Sequence, residues 1–518
     1  MALTREVKAG LITAAATLAV GLLALNQALV GVFYDDGLYA GLATALASGH
    51  GYVHPNLPGM PGAVHYPPLY PAILTPLFGL LSVHAAATAG KILNALLNAA
   101  AAGLIAWHVT KTELLGPSPN VPRWVPSGLV FAAAIAIPVL ATQGVLFAEP
   151  LFALLFAIAI IAADSPLEFA LSTSWRGGQG VWKGGQGVRW VAGTAAALAL
   201  LTRSIAIALV AGVAGFLLLR RAPRRVIVAA VLPGAIAAAL WGLWVATHAR
   251  QIDPAISHGY GSYFGHIRQA GLSAITVNVR DMPRPLDALT FGWIPVPWVY
   301  NVFAAASFGI GLYGLWVVSR RSAIGLSLAF YFIILVLWPH PPDRFLWAVL
   351  PWLVLIWALG ALEIVRRWPR ARIPVAVLAL LALGGYGYYE LRGFSGRWWD
   401  VQARAISANF TELLPVVQNL PDSAVVATDD EALVWLYSRR RAVPFYLARY
   451  HGRDLVTPTP AEQRAYLERM GVTHVLLASA TSPSAVQLHA LLGAYPPWLT
   501  AIYRWPDGRW LFAVNRGQ

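Results

Sequence analysis

No cysteine occurs among the 518 residues, so neither a disulfide nor a thiolate metal site can form, and the redox compartment cannot be read from the chain. Charge is scarce as well. Asp, Glu, Lys and Arg make up 12% of the residues against 58% hydrophobic, and the mean hydropathy is +0.60. That excludes an ordinary soluble domain, in which about a quarter of the residues are charged. Acids are the scarcer sign, 23 against 37 basic residues, for a net charge of +14. In a soluble protein this excess would suggest nucleic acid; here it is explained by basic residues that hold loops on the cytoplasmic side, and no nucleic-acid partner is expected.

What the chain has instead is long apolar runs, several of the roughly 18 to 25 residues that cross a bilayer as a helix. Eleven spans are predicted: 9–32, 83–109, 125–142, 146–163, 190–201, 204–219, 226–247, 297–318, 322–338, 345–365 and 373–390. The first exceeds the apolar core of a signal peptide, about 7–15 residues, and no small-residue cleavage site follows it, so it reads as a retained anchor. With the N-terminus inside, the inner segments collect Arg5, Lys8, Lys111, Arg220, Arg221, Arg320, Arg321, Arg366 and Arg367, among others. The opposite loops, ahead of the C-terminal region, hold only Arg203, Arg250, Arg268, Arg280, Arg284 and Arg344. That asymmetry predicts an integral plasma (inner) membrane protein with a cytoplasmic N-terminus. It also favours two short helices hinged at Thr202–Arg203 over one long helix, because a single crossing would put Arg220–Arg225 outside.

The expected fold class is a polytopic α-helical membrane protein of about eleven transmembrane helices with a small extracytoplasmic α/β domain at the C-terminus. The membrane domain covers 1–395, with outer loops at 33–82 and 248–296; the α/β domain covers 396–518. In the latter, Ala424–Ala427, Val472–Leu477 and Trp510–Val514 read as strands, and 402–414 and 460–470 as helices. The Arg439–Arg441 run reads as a solvated face. A tandem repeat, Gly177–Lys183 followed by Gly184–Trp190, interleaves Trp with basic residues and suits a membrane interface.

One stretch lacks Lys and Arg altogether: Phe33–Pro71, FYDDGLYAGLATALASGHGYVHPNLPGMPGAVHYPPLYP. It opens on Asp35 and Asp36 directly after the first span. Two acids at the mouth of a membrane helix cost free energy unless water, a cation or a ligand compensates them. They read as a site. Glu149, near the outer end of the fourth span, raises the same expectation, as do the outer Arg203 and Arg344. Lys91, in the outer half of the second span, either snorkels or serves the site.

The outward acid pair, the following D-x-x-Y-A, the Gly-x-Gly-Tyr turn at 49–52 and Tyr66-Pro-Pro-Leu-Tyr-Pro resemble the GT-C membrane glycosyltransferases, and more narrowly the protein-mannosyltransferase and aminoarabinose-transferase branch. Phe147-Ala-Glu149-Pro-Leu-Phe, Leu201-Thr-Arg203-Ser and Asp343-Arg344-Phe345 agree in order, and the resemblance covers most of 1–390. It implies an inverting transfer of a sugar from a polyprenyl-phosphate donor to a glycan, lipid or protein acceptor at the outer face. On that reading Asp35 is the general base, Asp36 hydrogen-bonds the sugar or acceptor or shares a cation, Glu149 helps the base or a metal, and Arg344, Arg203 and Lys91 hold the donor phosphate. His65, Tyr66 and Tyr39 contact substrate. A divalent ion held by Asp35 or Asp36 with His65 is the one cofactor the set suggests, although His65-Tyr66-Pro67-Pro68 departs from the acid-Lys-Pro-Pro pattern common in relatives. The competing classes are a transporter or flippase of lipid-linked sugars and a ligase using a lipid-diphosphate glycan. Against the transporter stand the absence of repeated halves and the placement of the acids at an outer edge.

Overall fold

The computed structural model describes residues 3–115, 121–165, 185–338, 340–451 and 454–515. Most of them are helical. α1 (Arg5–Leu23) stops at Leu23, not at Val32 as the hydropathy predicts. The reason is polar. Backbone groups of 24–30 that a longer helix would pair internally find side chains instead: Lys91 Nζ donates to the carbonyls of Asn26 and Ala28, the Ser407 hydroxyl accepts from Leu29 N, and the Tyr437 hydroxyl accepts from Val30 N. α2 (Asp35–Ala47) and α3 (Leu69–Leu80) pack on each other, and the loop between them folds back through a Val53–Gly62 bridge. α4 (Val83–Lys111) lies along α1 at close range, because Gly10 and Gly103 face one another with no room for a side chain on either.

α5 (Val125–Ala134) and α6 (Ile137–Gln143) are one predicted span broken by a 55° bend, where the Glu390 carboxylate accepts from Ile137 N and caps the second piece. α7 (Glu149–Asp164) and α8 (Gly185–Thr202) follow, and α8 is separated from α9 (Ile207–Leu219) at Arg203, where the hinge is expected. Of the tandem repeat, residues 177–184 lie outside the described residues. After α10 (Arg224–His248), the segment expected to be a long outer loop holds four short helices: α11 (Ser257–Tyr260), α12 (Tyr263–Ala270), α13 (Ser273–Asp281) and α14 (Arg284–Thr290). α15 (Pro297–Ser319), α16 (Ala323–Val336), α17 (Asp343–Trp347), α18 (Leu350–Arg367) and α19 (Arg372–Gly396) complete the helical part.

Each of the eleven predicted spans coincides with a helix, yet among the described residues only five helices are long and apolar enough to cross a membrane, or six if the bent α5–α6 pair is one span. The others fall short by length or charge. α9 and α16, of 13 and 14 residues, reach only about 20 Å at 1.5 Å per residue, less than a hydrocarbon core of about 30 Å.

The C-terminal region opens with α20 (Val401–Gln418) and alternates β1 (Val425–Thr428), α21 (Glu431–Ser438), β2 (Arg441–Pro444), the antiparallel pair β3 (Arg449–His451) and β4 (Asp454–Val456), α22 (Pro460–Arg469), β5 (His474–Leu477), α23 (Pro483–Ala494), β6 (Leu499–Arg504) and β7 (Trp510–Val514). The five-stranded sheet runs β2-β1-β5-β7-β6, with β1 parallel to β2 and β5, and β7 antiparallel to β5 and β6. The three predicted strands are its centre; of the edges, β6 is exposed beyond its first residue, and β2 is only four residues, opened by Arg441 and closed by Pro444. In the Arg439–Arg441 run, Arg439 and Arg441 are exposed, as expected of a solvated face, and Arg440 is half-buried. Arg440 donates to the carbonyls of Gln418 and Leu420 at the end of α20, and Arg439 turns the chain with a positive φ of 59°. The largest apolar core is continuous from α2, α4 and α7 into β1, β5 and α22, so the C-terminal α/β unit is packed onto the helical part.

Candidate active site

Asp35 is the first residue of α2. Its Oδ1 accepts from the Tyr66 hydroxyl at 2.7 Å, and its Oδ2 lies 2.6 Å from Nη1 of Arg344. Arg344, near the start of α17, also reaches Glu149: Nε donates to Oε1 at 3.0 Å and Nη2 stands 2.9 Å from the same oxygen. Glu149 opens α7, where the helix dipole favours a carboxylate, and only 1% of its side chain is exposed. Arg203, at the break between α8 and α9, closes the row with Nη1 2.5 Å from Glu149 Oε1. Four charges from four distant stretches thus alternate as Asp35, Arg344, Glu149 and Arg203. They sum to zero. Each arginine rests on a ring, Arg344 over Phe147 at 3.7 Å and Arg203 over Phe345 at 4.6 Å.

The row is not saturated. Arg203 Nη1, Arg344 Nη2 and Glu149 Oε2 are buried, and none completes a hydrogen bond with the described residues. Burial alone would push the Asp35 carboxyl up, but the Arg344 guanidinium and the Tyr66 hydroxyl outweigh it and hold it below the ordinary carboxylate range. A narrow cleft beside Arg203 is walled by Tyr39, Tyr66, Tyr263, Trp338 and Phe345. Tyr39 packs on Tyr66 at 4.7 Å and on Tyr70 at 5.1 Å. His65 points Nδ1 at the Gly261 carbonyl, 2.6 Å away, with its ring 4.3 Å from that of Tyr263. Burial brings its pKa down to about 3, so it is a neutral ring at this wall.

Two of the predicted residues turn elsewhere. The Asp36 carboxylate accepts from Gly31 N at 2.8 Å and Phe33 N at 3.1 Å, so it braces its own loop. Lys91 Nζ donates to Asn26 O, Asn26 Oδ1 and Ala28 O, which uses its three protons to hold the 24–30 segment. With Asp36 committed to backbone amides, Asp35 to Tyr66 and Arg344, and His65 Nδ1 to a carbonyl, the expected metal trio does not converge. No group of three or more acids and histidines suited to a metal ion is present among the described residues. Sequence reasoning missed Tyr263, whose hydroxyl lies in the field of Arg203, Asp35 and Arg344. Nothing in its aromatic-rich neighbourhood distinguishes it.

The fold, mostly helical with a mixed α/β unit at its C-terminus, is similar to that of two solved proteins. ArnT from Cupriavidus metallidurans in the apo state superposes with a TM-score of 0.54 at 15% identity, covering 97% of both chains. The same protein bound to undecaprenyl phosphate gives 0.53 at 13%, covering 98% of both. The oligosaccharyltransferase AglB from Archaeoglobus fulgidus, in complex with an inhibitory peptide and a dolichol-phosphate, gives 0.52 at 13%, covering 99% of this chain and 74% of that one. At these identities the likeness is one of fold. No family model matches the chain, and no curated protein does.

Proposed function

We propose that the chain is an inverting glycosyltransferase that moves a sugar from a polyprenyl-phosphate donor to an acceptor at the outer membrane face, with the N-terminus cytoplasmic and the C-terminal α/β unit extracytoplasmic. The observation that carries this reading is the pair of convergent arginines, Arg203 and Arg344, both held on Glu149 Oε1, beside the Asp35 carboxylate that waits in an ion pair with Arg344. Two guanidinium groups facing one site suit a phosphate. An apolar cavity of about 290 Å³, walled by Leu129, Leu286, Leu312, Phe332, Leu346 and Leu350, comes within two residues of Arg344 and suits a prenyl chain. The lipid phosphates bound in the two similar proteins, undecaprenyl phosphate and dolichol-phosphate, are of the same chemistry.

In the reaction the acceptor oxygen attacks the anomeric carbon from the face opposite the carrier. The bond from that carbon to the phosphate oxygen breaks, and its electron pair stays on the phosphate. A singly charged diester becomes a doubly charged monoester, so the cations are worth more in the transition state than in the ground state. The acceptor proton goes to Asp35. At rest Arg344 neutralises Asp35; when the donor phosphate draws Arg344 away, the carboxylate loses its cation and becomes more basic. Donor binding thereby arms the base. Glu149, held by both arginines, keeps their geometry as Arg344 shifts. Binding of polyprenyl phosphate alone tests the phosphate assignment: wild type should bind it and Arg203→Met should lose at least about ten-fold in affinity, the scale of one charge-assisted hydrogen bond. Equal affinities would refute the assignment.

A further inference from the structure

The membrane helices alone do not hold the backbone that carries Asp35. Between α1 and α2 the chain is irregular, and Asp35 N donates to the Phe33 carbonyl at 2.8 Å across Tyr34. Tyr34 has φ 65° and ψ −69°, a tight turn that a residue with a side chain adopts only under strain. Such a turn persists when its surroundings over-determine it, and here they come largely from the C-terminal α/β unit. Leu433 of α21 packs against Gly31, whose φ is 105°, and Ala432 packs against Gly37. Tyr437 and Ser407 take Val30 N and Leu29 N. The Tyr34 ring is clamped between Gly259, where a Cβ would lie 2.1 Å from its hydroxyl, and Tyr260 at 6.3 Å between ring centres.

At the centre of this clamp stands Glu431, the fully buried first residue of α21. Its Oε1 accepts from the Tyr260 hydroxyl at 2.7 Å, and the Tyr34 hydroxyl faces the same carboxyl. Asn56 Nδ2 donates to the Tyr260 oxygen at 2.8 Å and thereby ties in the first outer loop. We infer that Glu431 is a positioning residue for Asp35: through Tyr34 it fixes the strained turn that aims the Asp35 carboxylate at Arg344 and the reacting centre. The inference rests on Asp35 as the base proposed above and gives the C-terminal unit a part in the chemistry. Burial raises the Glu431 carboxyl to about 8, so it is largely a neutral hydrogen-bonding group near neutrality, which glutamine reproduces.

The test uses full-length protein with Glu431→Ala, Glu431→Gln, Tyr34→Phe and the double variant Tyr34→Phe/Glu431→Ala. Two readouts are taken: turnover of a labelled polyprenyl-phosphate sugar, and hydrogen–deuterium exchange of amides 29–38, which needs no substrate. Glu431→Ala should lower kcat by about 10- to 100-fold with the donor KM within about two-fold of wild type, the signature of a misaimed group. Exchange at 29–38 should quicken by roughly ten-fold while α4 keeps its protection. Glu431→Gln should restore both to within about three-fold, and the double variant should be no worse than Glu431→Ala, because the two groups act as one unit. Unchanged exchange at 29–38 in Glu431→Ala overturns the inference, and so does a rise in KM with kcat intact. If Glu431→Ala does not fold, Tyr34→Phe carries the test, and wild-type exchange and kcat in that variant overturn it. A wild-type protein that leaves the donor untouched refutes the proposed function, and the exchange arm then decides this inference alone.

Discussion

Replacing Arg344 by lysine keeps the positive charge and removes the fork. The arginine serves two carboxylates at once, Asp35 through Nη1 and Glu149 through Nε and Nη2. An ammonium is a single point and can face only one of them. At an effective dielectric of about 20, one such pair with charge centres about 4 Å apart is worth roughly 4 kcal/mol. Solvent reaches 34% of the Arg344 side chain, so screening cuts this to about 2 kcal/mol. With the phosphate taking the place of Asp35 on the fork, a lysine loses one contact of this size in the transition state, and kcat should fall by about 30-fold. The assay is release of free polyprenyl phosphate from a labelled polyprenyl-phosphate sugar by purified, monodisperse protein. The same substitution leaves Asp35 a weaker partner, so the acidic limb of kcat/KM should move to higher pH than in wild type. A lysine variant with kcat within two-fold of wild type and an unmoved limb would refute the account of the four-charge row.

Lys91→Met should lower the thermal midpoint, since the Asn26 and Ala28 carbonyls lose their donor at about 1–3 kcal/mol per stranded group, while leaving kcat/KM for the donor near wild type; a raised donor KM without loss of stability would return Lys91 to the phosphate site. In the free enzyme Asp35 titrates below the ordinary carboxylate range, so kcat/KM should hold down to acidic pH, whereas kcat, set by the donor complex in which Arg344 has shifted, should lose activity at a higher pH; coincident limbs would contradict the arming step. Glu431 is raised in the folded state to about 8 from 4.5, so between those values the native protein binds more protons than the unfolded one, and stability should fall as pH rises from about 5 to 8. Glu431→Gln should flatten that slope, as chemical denaturation at several pH values would reveal.

The residues that meet in the candidate site were legible for one reason: in a chain this poor in charge, an ionised group on an outer segment stands out. Asp35, Glu149, Arg203 and Arg344 each drew notice from position alone, and the structure brings the four into one row. Hydropathy could not say which partner a charge takes. Asp36 and Lys91 drew equal notice, but their partners are backbone groups of 24–33, a stretch as apolar as the helix before it, in which nothing marks Leu23 as the last helical residue. Glu431 was invisible for the opposite reason. It follows Asp429 and Asp430 in a run that looks solvent-facing, and only the approach of Tyr260 and Tyr34 from distant segments buries it. The edge strand β2 is four residues between an arginine run and a proline, and β6 is largely exposed, so neither shows a clear period, whereas β1, β5 and β7 are apolar throughout or nearly so.

The claim on which the rest depends is that Asp35 takes the acceptor's proton. Its most direct test is single-turnover transfer from a labelled polyprenyl-phosphate sugar by Asp35→Asn, an isosteric change that keeps an acceptor for Tyr66 but removes the base. The account predicts a rate lower by about 10²- to 10⁴-fold with carrier-phosphate affinity retained. Transfer at the wild-type rate by a folded Asp35→Asn protein would contradict it.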